Sequence, residues 1–228
     1  MSLIQALLKP SAYPHPVLKV ELVETHISWV LLTGAYVYKI KKPIQFDFLD
    51  FSTLEKRHFY CQEELRLNRR FAADLYLQVV AITGTIEQPH INGEGEIIEY
   101  AVQMRQFCPT QVLSEIAFRG GLETEMIDQL ADIVADFHQH TAIDNSDSRY
   151  GTEAEIQHWF SGNFTHIKPL LENGRFLQQI IQLEKWGERE LSKNADLIRQ
   201  RKSQGFIREC HGDLHLGKIA VIDSKVSP

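Results

Sequence analysis

The 228-residue chain has only three cysteines, Cys61, Cys108 and Cys210, an odd number with no CxxC spacing. That excludes a disulfide framework and a cysteine-built zinc site, and it points to reduced thiols in a cytoplasmic protein. Basic charge is also short: 24 Lys and Arg stand against 30 Asp and Glu, a net charge of -6. This balance argues against nucleic acid or an anionic membrane as the main partner. No apolar run approaches the length of a membrane span. The opening MSLIQALLKP lacks the basic start and cleavage site of a signal peptide. There is no internal repeat, no low-complexity tract and no Gly-x-Gly-x-x-Gly run. What remains is the composition of a globular protein with a sizeable core.

The first half is rich in strands and the second in helices. Residues 2–8 place Leu3, Ile4, Leu7 and Leu8 at helical spacing, and Pro10 ends the run. Tyr13-Pro14-His15-Pro16 is a linker. Residues 20–25, 29–33 and 36–41 read as an antiparallel meander, joined at His26-Ile27-Ser28 and Gly34-Ala35. An apolar loop, residues 44–51, is expected to pack on the sheet. Ser52 and Glu55 have the spacing of a capping box, with Ser52 as N-cap of a helix reaching about Phe71. Residues 76–83 and 97–107 are two further strands, with a hairpin turn at Asn92-Gly93-Glu94-Gly95. Helices are predicted over 110–119, 124–140, 152–163, 164–171 and 176–199, with a polar loop at 145–150. His138 and His140 diverge on a helix and make a poor metal pair.

Lys39 lies between Tyr38 and Ile40 in an apolar strand, where an unpaired ammonium would be costly to bury. It needs a carboxylate. Glu64 shares a helix face with Tyr60, Cys61, Leu67, Asn68 and Phe71 and is the predicted partner. Glu63 takes that role if the helix phase is shifted by one. Lys41 and Lys42, at the strand end before Pro43, read as solvated.

Near the chain end stands Glu209-Cys210-His211-Gly212-Asp213-Leu214-His215-Leu216-Gly217-Lys218, a polar loop that runs into a short apolar strand. His-x-Asp followed five residues later by a polar side chain is the spacing of a kinase catalytic loop. The run HGDLHLGKIAVID resembles the HGDLHxGNI motif of aminoglycoside phosphotransferase-like enzymes, the small-molecule branch of the protein-kinase-like fold. The resemblance extends back through LEKRHFYCQEELRLNRR and VETHISWVLLTGAYVYKIKKP and so covers most of the chain. It is closest to the kinase-like N-terminal half of bacterial proteins whose second half is a P-loop ATPase.

The resemblance implies an α+β, protein-kinase-like two-lobe fold with an antiparallel five-stranded N-lobe and an incomplete helical C-lobe. The implied divisions are an N-terminal helix and linker (1–17), an N-lobe (18–107) and a C-lobe (108–228). It implies ATP and magnesium as cofactors, with Lys39 and Glu64 as the phosphate clamp, Ser28 in the phosphate-covering turn, and Gln106, Phe107 and Cys108 at an adenine-binding hinge. Asp213 would deprotonate the hydroxyl of a small-molecule acceptor, His211 would brace the loop, and Gly212 would permit its tight backbone.

Two departures bear on the metal. Lys218 occupies the position of the family's metal-binding Asn, and a protonated ammonium has no lone pair for magnesium. Counted from Asp213, the family's second metal carboxylate would fall just beyond Pro228, so the chain reads as truncated; Asp223, beside Ser224-Lys225, is a hairpin-turn residue instead. Weak or absent phosphotransfer is therefore expected, and a non-catalytic nucleotide-binding or interaction module is the alternative. A metal-dependent hydrolase using His211, Asp213 and His215 is the third reading. The acceptor, and ATP against GTP, are not legible.

Overall fold

In the computed structural model, residues 2–46, 49–144, 147–171 and 174–228 are described. The chain divides into two compact units, Met1–Met126 with Leu214–Pro228, and Ile127–Asp213. Together they are of mixed α and β structure. No helix among the described residues is long and apolar enough to cross a membrane.

The first unit opens on helix α1 (Leu3–Leu7), capped by Ser2 in a complete capping box with Gln5. A 3-10 turn at Pro10–Ala12 follows. Strands β1 (Glu21–Glu24), β2 (Ser28–Leu32) and β3 (Tyr36–Lys41) form the expected meander. Then come the two-residue strands β4 (Gln45–Phe46) and β5 (Leu49–Asp50), helix α2 (Leu54–Ala72), and strands β6 (Tyr76–Gly84), β7 (Pro89–Ile91) and β8 (Ile97–Arg105). The main sheet runs β1-β2-β3-β8-β6-β7, every pairing antiparallel.

Period-2 alternation assigns the faces of β3. Tyr38 and Ile40 join Leu31, Leu7 and Tyr13 in the apolar core. Tyr38 is fully buried, and its hydroxyl is satisfied by Gln103 Nε2 at 3.1 Å and lies 3.1 Å from His15 Nε2. The N-terminal segment, with Tyr13 donating to the Leu7 carbonyl at 2.8 Å, thus helps close one side of the sheet. Helix α2 lies against β6 and β8.

Several expectations need correction. The sheet has six strands, not five: β7 is only three residues long and begins with a proline, so its sequence carries little strand signal. Thr53, not Ser52, caps α2, its hydroxyl accepting from the Lys56 N–H at 3.3 Å. Ser52 is drawn away because Asp50 accepts from both its N–H and its hydroxyl, at 3.0 and 2.6 Å. The loop of residues 44–51 contains the β4–β5 pair, and Asp47 and Phe48 lie outside the described residues. Strand β8 stops at Arg105, short of Phe107.

After β8 the chain makes a 3-10 turn at Pro109–Gln111 and helix α3 (Leu113–Phe118), where one helix over 110–119 was expected. Helix α4 (Thr124–His140) matches its predicted span. The second unit continues with α5 (Glu153–Ile167), α6 (Arg175–Lys193) and α7 (Ala195–Ser203). The two helices expected over 152–171 are one α-helix with a 3-10 extension at Lys168–Leu170, where Pro169 ends the regular hydrogen bonding. The long helix expected over 176–199 is instead broken at Asn194. Gly187 of α6 faces the Phe160 ring of α5 so closely that an added Cβ would clash with it. The polar loop of residues 145–150 falls partly outside the described residues.

Residues 214–228 return to the first unit as strands β9 (Ala220–Ile222) and β10 (Lys225–Ser227), an antiparallel hairpin. Its turn is made by Asp223 and Ser224 at φ 50 and 63. The hairpin is tied to the unit by Leu113 N–H to the Ile219 carbonyl at 2.8 Å and by Arg105 to Asp223 at 2.9 Å.

Helix α2 is pinned by a buried ion pair. Arg57 Nε reaches both Glu99 oxygens, at 3.0 and 2.8 Å, while its Nη1 donates to the Phe51 carbonyl at 3.0 Å. Removing one partner would strand a buried charge. Glu99→Ala is therefore expected to lower unfolding free energy by about 3–5 kcal/mol in urea titrations. The double change Arg57→Met with Glu99→Leu should recover most of that loss; a Glu99→Ala chain as stable as the parent would remove the pinning role.

Candidate functional site

Lys39 and Lys41 are two residues apart on β3 and so share a face. Glu64 comes to them from the middle of α2. Its Oε1 accepts from Lys39 Nζ at 2.7 Å and its Oε2 from Lys41 Nζ at 2.6 Å. One carboxylate thus serves two ammonium groups. Side-chain exposure falls from 29% at Lys39 to 12% at Glu64 and 6% at Lys41. The Lys41 ammonium also lies 4.8 Å from the centre of the Phe51 ring.

Burial alone would push the Glu64 carboxyl up. Lys39 and Lys41, through charge and hydrogen bonding, outweigh that and hold it at about 2. Burial likewise works to lower the Lys39 ammonium, but Glu64 prevails and holds it above its ordinary value. Beside them, burial pushes the Cys61 thiol up to about 12 and raises Tyr76 as well. Glu64, Lys39, Cys61 and Tyr76 therefore hold fixed protonation states near neutrality.

The predicted Lys39–Glu64 ion pair is formed. Lys41, expected to be solvated, is buried and paired, because β3 continues through it and period 2 returns its side chain to the α2 face. Lys42, one residue on, turns to Glu24 at 2.6 Å. Glu63 sits on the outer side of α2 and pairs with Arg66 at 2.8 Å. The signal that could have found Lys41 was its spacing from Lys39.

Ser28 is fully buried at the start of β2, opposite Lys41 in register. Its Oγ has no partner among the described residues, while its N–H donates to Thr25 Oγ1 at 3.0 Å. The hydroxyl therefore sits inside the first unit rather than on an open phosphate-covering loop. At the segment predicted as a hinge, Gln106 Oε1 accepts from the Gly34 N–H at 2.9 Å. Phe107 is half-buried. Cys108 is exposed, its Sγ 3.0 Å from Thr110 Oγ1 and its N–H bonded to Gln111 Oε1 at 3.0 Å. The Thr110 hydrogen bonds hold the Cys108 thiol below its ordinary value.

In the second unit, Gly212 adopts φ +76, a left-handed conformation that favours glycine. This bends the loop so that Asp213 N–H donates to His211 Nδ1 at 3.2 Å. Asp213 itself is exposed. In the first unit, His215 Nδ1 accepts from Gly217 N–H at 3.2 Å and caps the 3-10 turn Leu216–Lys218. Lys218 is exposed, and its N–H donates to the His215 carbonyl at 2.8 Å. Among the described residues, no three His, Cys, Asp or Glu side chains converge in a way that could hold a metal ion.

No family model matches the chain, and no solved structure matches it. Three curated proteins are similar to it: one from Mycobacterium bovis and two from strains of Mycobacterium tuberculosis, each described as uncharacterized. Each is 27% identical over 214 residues, which cover 92% of this chain and 41% of the relative. The chain thus spans about two fifths of the length of these relatives.

The Glu64 carboxyl generates a pH signature. Its folded value of about 2 lies below the ordinary 4.5, so the stability it contributes is present above 4.5 and lost as pH falls towards 2. The linked free energy is about 3 kcal/mol. Acid unfolding followed by circular dichroism should steepen across that window, and Glu64→Gln should flatten it. Asp50, held at about 2 by Lys56 and Ser52, titrates in the same range but is solvent-screened. An unchanged acid slope in Glu64→Gln would contradict the charged state assigned here.

Proposed function

We propose that the chain is a kinase-like nucleotide-binding module of aminoglycoside phosphotransferase-like ancestry. The observation that carries this reading is the Lys39–Glu64 ion pair between the third strand of an antiparallel sheet and the helix that follows it. A lysine so placed can meet the α- and β-phosphates of ATP, because its side chain keeps one solvent-facing side. The left-handed Gly212, between His211 and Asp213, supports the catalytic-loop assignment. In that assignment Asp213 accepts the proton of an acceptor hydroxyl as it attacks the terminal phosphate, and ADP leaves with the phosphate's former bridging oxygen.

A kinase-like two-lobe arrangement, and a P-loop ATPase as neighbour in a longer protein, belong to the same proposal. So do ATP and magnesium. Magnesium would need oxygen ligands, and the exposed Lys218 ammonium cannot be one. The residues described do not by themselves fit a magnesium site. Lys218 also favours the second reading, a module that binds nucleotide without turning it over. The hydrolase reading has less support, because His211 and His215 each spend Nδ1 on a nearby backbone N–H.

The test is calorimetric titration of the chain with ATP and magnesium, paired with a turnover assay over a panel of hydroxylated acceptors. ATP should bind weakly, and Lys39→Met should lower the affinity tenfold or more, about 1.4 kcal/mol. Turnover by the parent should be near background, higher in Lys218→Asn, and absent from that variant once Asp213→Ala is added. Turnover indifferent to Asp213→Ala would remove the phosphotransfer mechanism.

A further inference from the structure

The paired lysines of β3 are not equivalent. Lys39 and Lys41 each hold their own oxygen of Glu64, at 2.7 and 2.6 Å. Lys41 is enclosed, its side chain 6% exposed and its ammonium set against the Phe51 ring. Lys39 is 29% exposed and has a way out to solvent.

Moving Lys39 onto a phosphate has a cost. Were it the sole partner of Glu64, its departure would leave a carboxylate buried without a counter-ion, a change that generally costs several kcal/mol. Here Lys41 stays behind. The three side chains carry two positive charges and one negative, so one cation can leave and the remaining pair is neutral.

We infer that Lys41 is the positioning residue of this site: it holds Glu64 on the sheet so that the Lys39 ammonium can leave the carboxylate for a bound polyphosphate. This rests on the nucleotide-binding reading above. It divides between two lysines what a single strand lysine would otherwise do alone. Lys41 touches no ligand; it acts through Glu64.

The experiment uses the full chain and its Lys39→Met, Lys41→Met and Lys41→Arg variants. Affinity for ATP with magnesium is measured by calorimetry and stability by thermal unfolding. The Glu64 titration midpoint is followed by carbon-13 NMR, with Glu64→Gln identifying the resonance. Two other ionisable groups couple to this carboxylate, Cys61 on α2 and Tyr76 on β6, and burial raises both, leaving them neutral throughout the acid titration.

Lys41→Met should weaken ATP binding tenfold or more and lower the melting midpoint further than Lys39→Met does. Lys41→Arg should restore affinity to within threefold of the parent. Saturating ATP should raise the Glu64 midpoint in the parent only as far as Lys41 alone allows, to a value still below about pH 4. In Lys41→Met it should raise the midpoint by about one unit or more, because ATP then draws off the last cation. A purely structural role for Lys41 would not produce that nucleotide-dependent shift. If the parent binds ATP and Lys41→Met binds it equally with Glu64 unmoved, the inference fails while the nucleotide reading stands. If the parent binds no ATP, both fail. If Lys41→Met does not fold, Lys39→Met without nucleotide decides: Glu64 must stay ionised below about pH 4, held by Lys41 alone, and a return to the ordinary carboxylate range overturns the anchor.

Discussion

The first unit depends on a carboxylate that water cannot reach well. Glu64 is brought in by α2 and must be neutralised there, since an isolated buried carboxylate would take up a proton instead. Two lysines from a single strand do this, and the strand and helix are thereby locked in register with each other. The Arg57–Glu99 pair adds a second electrostatic tie two turns earlier on the same helix, this time to β8. Hydrophobic contact alone is non-directional and would allow the helix to slide on the sheet. Two charge pairs at fixed positions do not. The α2–sheet relation is thus specified by ion pairs in which loss of a member leaves a buried charge behind, except at Lys39 and Lys41, either of which leaves the other beside Glu64.

This exception links packing to function. A phosphate-binding lysine must be available to ligand yet stable without it. Full burial would satisfy stability and deny access, whereas full exposure would leave the charge hydrated and loosely placed. On the proposed reading, a partly exposed Lys39 that shares its carboxylate with an enclosed Lys41 would meet both requirements. The opposite side of the sheet is closed by Tyr13, Leu7 and Tyr38, an apolar cluster with its tyrosine hydroxyls bonded. The Lys39, Lys41 and Glu64 charges lie on the α2 side.

Much of this unit was legible because its signals are local. Alternation fixed the meander and the orientation of Lys39, and helical spacing fixed Glu64 over Glu63. The buried role of Lys41 was missed although the same alternation implies it. Its neighbours Lys42 and Pro43 suggested a chain running into solvent, and only the α2 contact tells otherwise. Ser52 lost the cap to Thr53 through competition from Asp50, a contact that depends on side-chain geometry. Strand β7 was missed because three residues beginning with Pro89 carry no period, and its pairing is supplied by β6. Helix ends in the second unit shifted where Pro169 and Asn194 set breaks that apolar spacing does not record. At the candidate site, residue types and order were readable, but the three-body charge arrangement was not.

The charge arrangement also bears on how Lys218 should be understood. An asparagine in that position brings a neutral carbonyl, useful only when a metal is present to be held. A lysine brings its own charge and excludes that ligand role. A polyphosphate needs positive charge nearby whether metal or protein supplies it, because its oxygens repel one another and any approaching hydroxyl. On the proposed reading Lys39 would supply one such charge, since Glu64 is already balanced by Lys41. A fixed ammonium can balance ground-state charge, but it cannot reproduce a metal that bridges two phosphate groups and follows the transferring phosphoryl. Replacing metal ligands by lysine therefore preserves the electrostatics of binding better than those of transfer. On the nucleotide-binding reading proposed above, this residue set is better suited to holding a nucleotide than to consuming it.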